Sequence, residues 1–351
     1  MRVIFFMIIG LHGMWGSVMA EKNNYTSLEK KIADQEFKQI TSVLVQQDGN
    51  LLYERYFNNG SSELLNNTRS ATKSIMAILF GIAIEDDFFK SVEDRVLPVF
   101  KHKLPIADVF PAKENMTFDQ LLSMTSPLEC NDFEQASAGN EEKMYLRKDW
   151  ERFILDLPEA GVPPWEPKAK DRPYGRVFRY CTGGVFMVGA AIEYASKTSL
   201  TDYADKKLFK PMGINQLSWA YSPSGIAQGG GGLELRSRDL LKIGQLMLDE
   251  GQYDGQQLVP KAWVKAMMEP RSVAIPDQRV DYGYLWWINH FDIGGKDVVA
   301  YAASGNGGNY VFVIPELKLT AVITSQAFGT SYMHQQSRQI LTDHILTKYV
   351  K

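Results

Sequence analysis

The chain lacks the motifs of several common catalytic sites. Its 351 residues contain no Gly-x-Ser-x-Gly elbow, no His-Glu-x-x-His pair and no phosphate-binding P-loop. None of its five histidines pairs at the spacing of metal ligands, so we expect neither a metal site nor a cofactor. No run of lysine and arginine forms a basic stripe, and the formal net charge is -3. The sequence therefore gives a nucleic-acid partner no electrostatic support.

Long apolar runs and cysteines are also scarce. Past the N-terminus no stretch of about 18 apolar residues occurs, so we expect no stable membrane insertion of the rest of the chain. The composition is 45% apolar and 23% charged, which is typical of a globular protein with a sizeable core. The two cysteines, Cys130 and Cys181, form either one disulfide or two separate buried thiols.

The N-terminus has the parts of a secretion signal. Arg2 gives a positive start, Val3 to Leu11 form a short apolar core, and Val18 to Ala20 offer small or tolerated residues at a cleavage position. The apolar run is too short to cross a bilayer, which disfavours the alternative of a membrane anchor. We therefore predict a signal peptide over residues 1–20 and an exported protein, periplasmic or secreted.

Strand patterns lie at both ends of the chain, and helical patterns lie between them. Residues 41–57 indicate a hairpin that turns at Asp48-Gly49. Val, Ile and aromatic residues predict later strands at Tyr282–Ile288, Val298–Ala302, Tyr310–Ile314 and Thr320–Thr324. Apolar spacing predicts helices at Ser70–Ile84, Phe186–Ala195 and Ser237–Asp249, and a last helix with Leu341, Ile345 and Tyr349. Residues 126–176 are rich in Pro, Gly and charge, which predicts a loop.

These patterns predict an α/β fold. An antiparallel sheet flanked by helices forms from both chain ends, and a mainly helical domain is inserted into it. We expect the sheet domain to comprise residues 21–65 plus 255–351 and the helical domain residues 66–254. The active site is expected between the two domains.

The first candidate for chemistry is Ser70-Ala71-Thr72-Lys73 at the start of an apolar helix. This spacing places the Ser70 and Lys73 side chains one helical turn apart. A buried lysine favours its neutral form and can take the proton of a serine nucleophile. Ser27-Leu28-Glu29-Lys30 has the same pattern in a charged segment, where we expect an ordinary solvated surface. The alternative for Ser70 itself is a helix cap beside a surface lysine.

Two further segments carry candidate residues. Tyr180 precedes an apolar helix, where a phenol can relay a proton, although a core tyrosine has the same appearance. The segment Ala303-Ser304-Gly305-Asn306-Gly307 lies at a strand edge. Its glycines allow a substrate to approach the backbone, and a free N–H there can bind an oxyanion. The alternative is an ordinary glycine-rich hairpin turn.

In order and spacing, these motifs resemble the penicillin-recognising serine hydrolases. The likeness is to the class C β-lactamase-like branch, and within it to carboxylesterases and nylon-oligomer-type amide hydrolases. It covers nearly all of the chain after the signal. The matching segments are Ser70-x-x-Lys73, Leu121 to Ser126, Phe178-Arg179-Tyr180, Gly230 to Leu240, and Gly305 to Glu316.

The resemblance implies a role for each candidate. Ser70 would be the acylated nucleophile, Lys73 its base and Tyr180 the proton relay. The backbone N–H groups of Ser70 and Asn306 would form the oxyanion hole. In this branch a cysteine after the tyrosine accompanies one in the loop after Leu128, which favours a Cys130–Cys181 disulfide.

Other residues are candidates for binding the substrate. Ser304, Gly305 and Gly307 would lie along it, and Trp286, with Trp287 and Tyr310, would line the pocket. The alternative for these aromatic residues is the core of the sheet.

Three positions depart from the family pattern. Thr182 stands where the tyrosine motif usually carries Asn, and Pro127 stands where Gly is usual after the Leu-Leu helix. Ala303 stands where the strand motif has a lysine or histidine, and no other cation occupies that motif. A charge-assisted contact of about 1.5–3 kcal/mol to a substrate carboxylate is thereby lost, which disfavours efficient β-lactamase activity.

We therefore predict an exported serine hydrolase that cleaves an ester or amide bond through an acyl-enzyme on Ser70. Its expected partner is a small-molecule or short-peptide substrate. One alternative is a non-catalytic cell-wall binding or regulatory module with the same fold, for which Thr182 and Ala303 are the motivation. Another is a D-amino-acid peptidase or β-lactamase, which needs a site for a terminal carboxylate.

Overall fold

The computed structural model describes residues 24–350, and the predicted signal peptide lies outside the described residues. The strands are β1 Ile40–Gln47, β2 Asn50–Tyr56, β3 Asn66–Asn67, β4 Leu217–Trp219, β5 Leu233–Leu235, β6 Gln252–Tyr253, β7 Gln256–Gln257, β8 Ser272–Ile275, β9 Val280–Tyr282, β10 Trp287–Ile293, β11 Lys296–Gly305, β12 Asn309–Ile314 and β13 Leu319–Ser325. The α-helices are α1 Thr26–Ala33, α2 Thr72–Glu85, α3 Pro111–Glu114, α4 Phe118–Leu122, α5 Glu141–Tyr145, α6 Trp150–Leu155, α7 Thr182–Ser196, α8 Leu200–Ala204, α9 Ser237–Leu248, α10 Lys261–Met268 and α11 Met333–Gln339. The remaining helical segments are short 3-10 helices and two π-helical segments, Asp205–Phe209 and Ile340–Ile345.

Strands from both chain ends build one eight-stranded sheet. Its order is β2-β1-β13-β12-β11-β10-β9-β8, and every neighbouring pair is antiparallel. The N-terminal hairpin joins the C-terminal strands through β1 and β13, with Val43 opposite Ile323. The predicted α/β fold, an antiparallel sheet formed from both ends and flanked by helices, is therefore confirmed.

The two faces of the sheet support two separate cores. Side chains of β12 alternate between them, as the period of an extended strand requires. Tyr310, Phe312 and Ile314 pack with α1 and the C-terminal helices. Val311 and Val313 pack on the opposite face, in the core that also contains α2, α7 and α9. Burial on both faces fixes the register of β12 and, through it, the position of the neighbouring end of β11.

Two helices in the middle of the chain are apolar nearly all round and are buried accordingly. Residues 72–83 of α2 and 182–192 of α7 are all buried, and the two helices pack against each other. Ser70 lies just before α2, and Tyr180 lies just before α7. Packing of the two helices therefore brings two distant sequence motifs to one place.

Some predicted elements differ in detail. The strand predicted at Tyr282–Ile288 is two strands, because the chain turns between β9 and β10, where the Gly283 N–H donates to the Trp286 carbonyl over 2.9 Å. The loop predicted at 126–176 contains α5 and α6, whose N-termini are capped by Asn140 and Asp149. Short polar caps of this kind start helices that are too brief to show an apolar period.

Helix α9 packs on the sheet, although its position in the chain lies within the predicted helical insertion. The hydroxyls of Ser237 and Ser42 are 2.7 Å apart, and the side-chain amides of Gln46 and Gln245 are 2.6 Å apart. The polar side chains of Ser42 and Gln46 on β1 therefore pack against a helix and bond to it. The division of the chain into residues 21–65 plus 255–351 and residues 66–254 stays a prediction.

Cys130 and Cys181 form a disulfide, as the resemblance implied. Their Cα atoms are 5.3 Å apart, and the residues are 51 positions apart in sequence. The bond ties the segment before α5 to the residue that follows Tyr180. It closes a loop that is long enough to remove much conformational freedom from the unfolded chain.

We expect reduction of this disulfide to destabilise the protein by about 4 kcal/mol, the amount expected for a loop of this length. Thermal unfolding of the oxidised protein, with and without dithiothreitol, measures the change in melting temperature. The double variant Cys130→Ala/Cys181→Ala is the matched control, because dithiothreitol then has no cysteine to reduce. An equal melting temperature for oxidised and reduced wild type would contradict this expectation.

Candidate active site

Ser70 lies in a single 3-10 turn, Arg69–Ala71, that leads directly into α2. The turn is fixed from below by Thr68, whose hydroxyl donates to the Leu233 carbonyl over 2.6 Å. Ser70 is half-buried and faces a cavity of about 380 Å³. Its position at the start of a long helix places it where free N–H groups and the positive end of the helix dipole favour an anion.

Lys73 is the buried partner of Ser70. Its side chain is 1% exposed, and its Nζ lies 2.9 Å from Ser70 Oγ. The same Nζ donates to the Gly230 carbonyl and lies 4.9 Å from the centre of the Tyr180 ring. Burial lowers the pKa of Lys73, while the negative charges of Glu141 and Asp132 act in the opposite direction. A desolvated amine in contact with a hydroxyl has the properties of a general base.

Tyr180 closes the site from the side of α7. Its side chain is buried, and it lines the same cavity as Ser70. Burial raises the pKa of Tyr180, and the neighbouring Ser70 hydroxyl acts against that increase. The phenol ring stacks on Phe133, with ring centroids 5.2 Å apart. The structure therefore brings all three predicted catalytic side chains together, with Lys73 bonded to Ser70 and 4.9 Å from the centre of the Tyr180 ring.

The end of β11 passes directly over the Ser70 turn. A methyl group placed on Gly305 would lie 2.0 Å from the Thr68 carbonyl oxygen and 3.1 Å from the Ser70 amide nitrogen. A glycine is therefore required here for the backbones to approach so closely. Asn306 follows it and lines the cavity together with Ser304 and Gly305. The Asn306 side chain accepts a hydrogen bond from the Gly329 amide over 2.9 Å, which holds this strand end.

Two predicted substrate-binding residues lie elsewhere. Trp286 is fully buried in the core, and Gly307, whose N–H contacts the sulfur of Met333 at 3.2 Å, pairs with Ala327. Neither is among the described residues that line the cavity, so a substrate-binding role for Trp286 and Gly307 stays a prediction. The neighbouring Trp287 lines the cavity instead, because it begins β10 while Trp286 belongs to the preceding turn.

The cavity also contains charged residues that the sequence analysis missed. Asp132 and Glu141 line one side, and Arg338 of α11 lines the cavity as well. Asp132 follows Cys130 closely, so the disulfide to Cys181 was a signal that an acid lies near Tyr180. Arg338 carries no local motif, and only the three-dimensional fold brings it to the site. A cation is therefore present in the cavity, although Ala303 leaves the strand motif without one.

A hydrogen-bonded group lines the cavity beside Arg338. The Tyr310 hydroxyl lies 2.9 Å from His334 Nδ1, and both residues line the cavity with Ser304. Burial lowers the pKa of His334 to about 4, so this imidazole is neutral at pH 7. Arg338 itself donates to the side chain of Asn289 over 2.8 Å. Within residues 24–350, no group of three or more His, Cys, Asp or Glu side chains is placed to bind a metal ion.

Replacing Gly305 with alanine should separate β11 from the Ser70 turn, because the added methyl group overlaps a backbone oxygen. We expect the rate at which a fluorophosphonate probe labels Ser70 to fall about a hundredfold, the usual effect of a displacement of about 1 Å. Gly161→Ala is the matched control, since a methyl group there meets no atom within 4 Å. Equal labelling of Gly305→Ala and wild type would show that the close approach is not needed.

A helix long and apolar enough to cross a membrane does not occur among residues 24–350. A comparison with curated proteins finds no match.

Comparison with solved structures finds several chains with the same fold. A Bacillus anthracis protein assigned as a 6-aminohexanoate-dimer hydrolase superposes with a TM-score of 0.73 at 20% identity, covering 92% of this chain and 83% of that one.

Two other structures are similar at lower identity. The hydrolase EstCE1, described with promiscuous acyltransferase activity, has a TM-score of 0.70 at 13% identity, covering 95% of this chain and 100% of that one. A D-stereospecific amidohydrolase from Streptomyces has a TM-score of 0.65 at 16% identity, covering 91% and 97%. At these identities the likeness concerns the fold alone. The family model described as Beta-lactamase, however, matches residues 32–343. The chain therefore belongs to the Beta-lactamase family, which agrees with the resemblance seen in its motifs.

Proposed function

We propose that the protein is a serine hydrolase that cleaves an ester or amide bond through an acyl-enzyme on Ser70. The observation that carries the proposal is the contact between the buried Lys73 Nζ and Ser70 Oγ, 2.9 Å long, at the edge of a cavity. A lysine that is 1% exposed has no water around it to stabilise its charge, so its neutral form is favoured. The neutral amine can then accept the proton of the neighbouring Ser70 hydroxyl. The family and the hydrolases of the same fold support this reaction class.

The proposed reaction has two halves. Neutral Lys73 takes the hydroxyl proton while Ser70 Oγ bonds to the carbonyl carbon, and the carbonyl electrons move to the oxygen. The N–H groups of Ser70 and Asn306 bind that oxyanion. As the tetrahedral intermediate collapses, Tyr180 passes a proton to the departing alcohol or amine and regains one from Lys73. Water then attacks the acyl-enzyme by the same route and releases the acid and free Ser70.

The lining of the cavity supports a small substrate. Its volume of about 380 Å³ lies at the low end for sites that hold drug-sized molecules. Trp287 and Tyr310 offer apolar faces, and Phe133, which is 61% exposed, extends the apolar surface to the rim. Ala303 replaces the cation of the strand motif, and two carboxylates, Asp132 and Glu141, line the cavity together with Arg338. We therefore propose uncharged esters or amides as the preferred substrates. We propose that the natural substrate is a small molecule or a short peptide.

We also propose that the protein is exported and acts in the periplasm or outside the cell. The proposal rests on the signal-like sequence of residues 1–20, which is outside the described residues. The Cys130–Cys181 disulfide supports it, since such bonds persist in oxidising compartments.

We expect Ser70→Ala to lower the hydrolysis of p-nitrophenyl acetate about a thousandfold or more, because no other hydroxyl is paired with Lys73 in the described residues. Intact-mass measurement should show an acyl adduct on the wild type and none on the variant. Ser27→Ala is the matched control. Ser27 has the same Ser-x-x-Lys spacing, but it is exposed on α1, and its Lys30 pairs with Asp34.

A panel of an ester, an amide and a β-lactam should be tested in the same experiment. Adducts with the ester or amide, and slower or no reaction with the β-lactam, are expected from the missing strand cation. Hydrolysis that survives in Ser70→Ala would remove Ser70 from this role. A folded wild type that reacts with none of the three would favour the alternative of a non-catalytic binding module.

A further inference from the structure

Asp132 is a half-buried carboxylate in the cavity that the reaction above does not use. Its two oxygens accept backbone hydrogen bonds from Thr182, over 2.6 Å, and from Glu141, over 2.8 Å. Its own N–H donates to the Tyr180 carbonyl over 2.7 Å. The residue therefore holds the segment on both sides of Cys181, next to the disulfide.

The charge of Asp132 also acts on Lys73. Burial raises the pKa of Asp132 to about 6, and the positive charge of Lys73 opposes that rise. In turn, the charges of Glu141 and Asp132 raise the pKa of Lys73 against the effect of burial. Tyr145 and Tyr180 are the other titratable groups that face Asp132. The carboxylate is therefore coupled to the amine that contacts Ser70.

Ionisation of Asp132 does not stabilise the folded state of the protein. Its pKa in the folded protein, about 6, lies above the value of about 3.9 for an unfolded chain. The folded state thus holds the proton more tightly, and stability falls as pH rises from about 4 to about 6. At neutral pH the ionised group lowers stability, although its two N–H contacts reduce that penalty. A group of this kind beside a reactive pair points to a functional role.

We propose that Asp132 is a positioning residue of the Ser70 site, which holds the Tyr180–Thr182 turn in place and directs a negative charge at Lys73. The inference rests on the proposed function. Thr182 stands where Asn is usual, and its backbone N–H donates to the Asp132 carboxylate.

The test compares the pH dependence of kcat/KM for p-nitrophenyl acetate in the wild type and Asp132→Asn. Loss of the negative charge lowers the pKa of Lys73, so more of the amine is neutral above about pH 6, where the wild-type carboxylate is ionised. We expect the acidic limb to move about one pH unit lower, the usual effect of one nearby charge. We also expect kcat at the optimum to fall severalfold, because an amide cannot accept both N–H bonds. Asp132→Glu, which keeps the charge, should retain the position of the limb.

Glu134→Gln is the matched control. It removes one negative charge from the same loop, but Glu134 is exposed and contacts Asn131 rather than the Lys73 site, so its profile should match the wild type. If Asp132→Asn does not fold, Asp132→Ser gives a second uncharged variant that keeps one acceptor. A lowered kcat with an unmoved acidic limb would show a purely structural role and overturn the inference. A wild type that forms no Ser70 adduct would overturn the proposed function as well, whereas a reactive wild type with an unmoved limb in both variants overturns this inference alone.

Discussion

The burial of the Lys73 amine against the Ser70 hydroxyl is the constraint on which the rest of the structure depends. Removing a lysine head group from water is costly unless it loses its charge or finds partners. Here the partners are one hydroxyl, one backbone carbonyl and the face of Tyr180, together with two more distant carboxylates. Such an environment exists only because α2 is enclosed on all sides, by the sheet and by α7. The apolar sequence of α2 is therefore a requirement of the chemistry as well as of the fold.

Three segments that are far apart in sequence must meet around that pair. The 3-10 turn carries Ser70, the start of α7 brings Tyr180, and the end of β11 brings Gly305 and Asn306. Each is held by a different kind of interaction. The turn is held by Thr68 and Leu233, the Tyr180 segment by a disulfide, and the strand end by antiparallel pairing with a strand that is buried on both faces. Rigid supports of this kind fix reacting groups better than a flexible loop can.

The sequence was most informative where chemistry and local pattern coincide. The spacing of Ser70 and Lys73 on an apolar helix predicted their contact, and strand segments rich in Val, Ile and aromatic residues predicted the sheet. It was least informative for side chains whose direction depends on one residue of register. Trp286 and Trp287 have the same type and adjacent positions, yet a turn before β10 places the first in the core and the second in the cavity. No single-residue pattern distinguishes such neighbours.

The charged residues of the cavity show a second reason why part of the site could not be predicted from the sequence. Asp132 and Arg338 reach the cavity from a loop and from the C-terminal helix, so their positions depend on tertiary packing that no local spacing records. Thr182 and Ala303 replace a polar and a charged residue of the family motifs. A motif comparison alone reports these positions as losses. The structure shows a cavity with a carboxylate and a guanidinium supplied from other segments, so the charge that meets a substrate has to be judged from the whole cavity. The proposed uncharged substrate suits such a cavity, because it leaves neither Asp132 nor Glu141 facing a like charge.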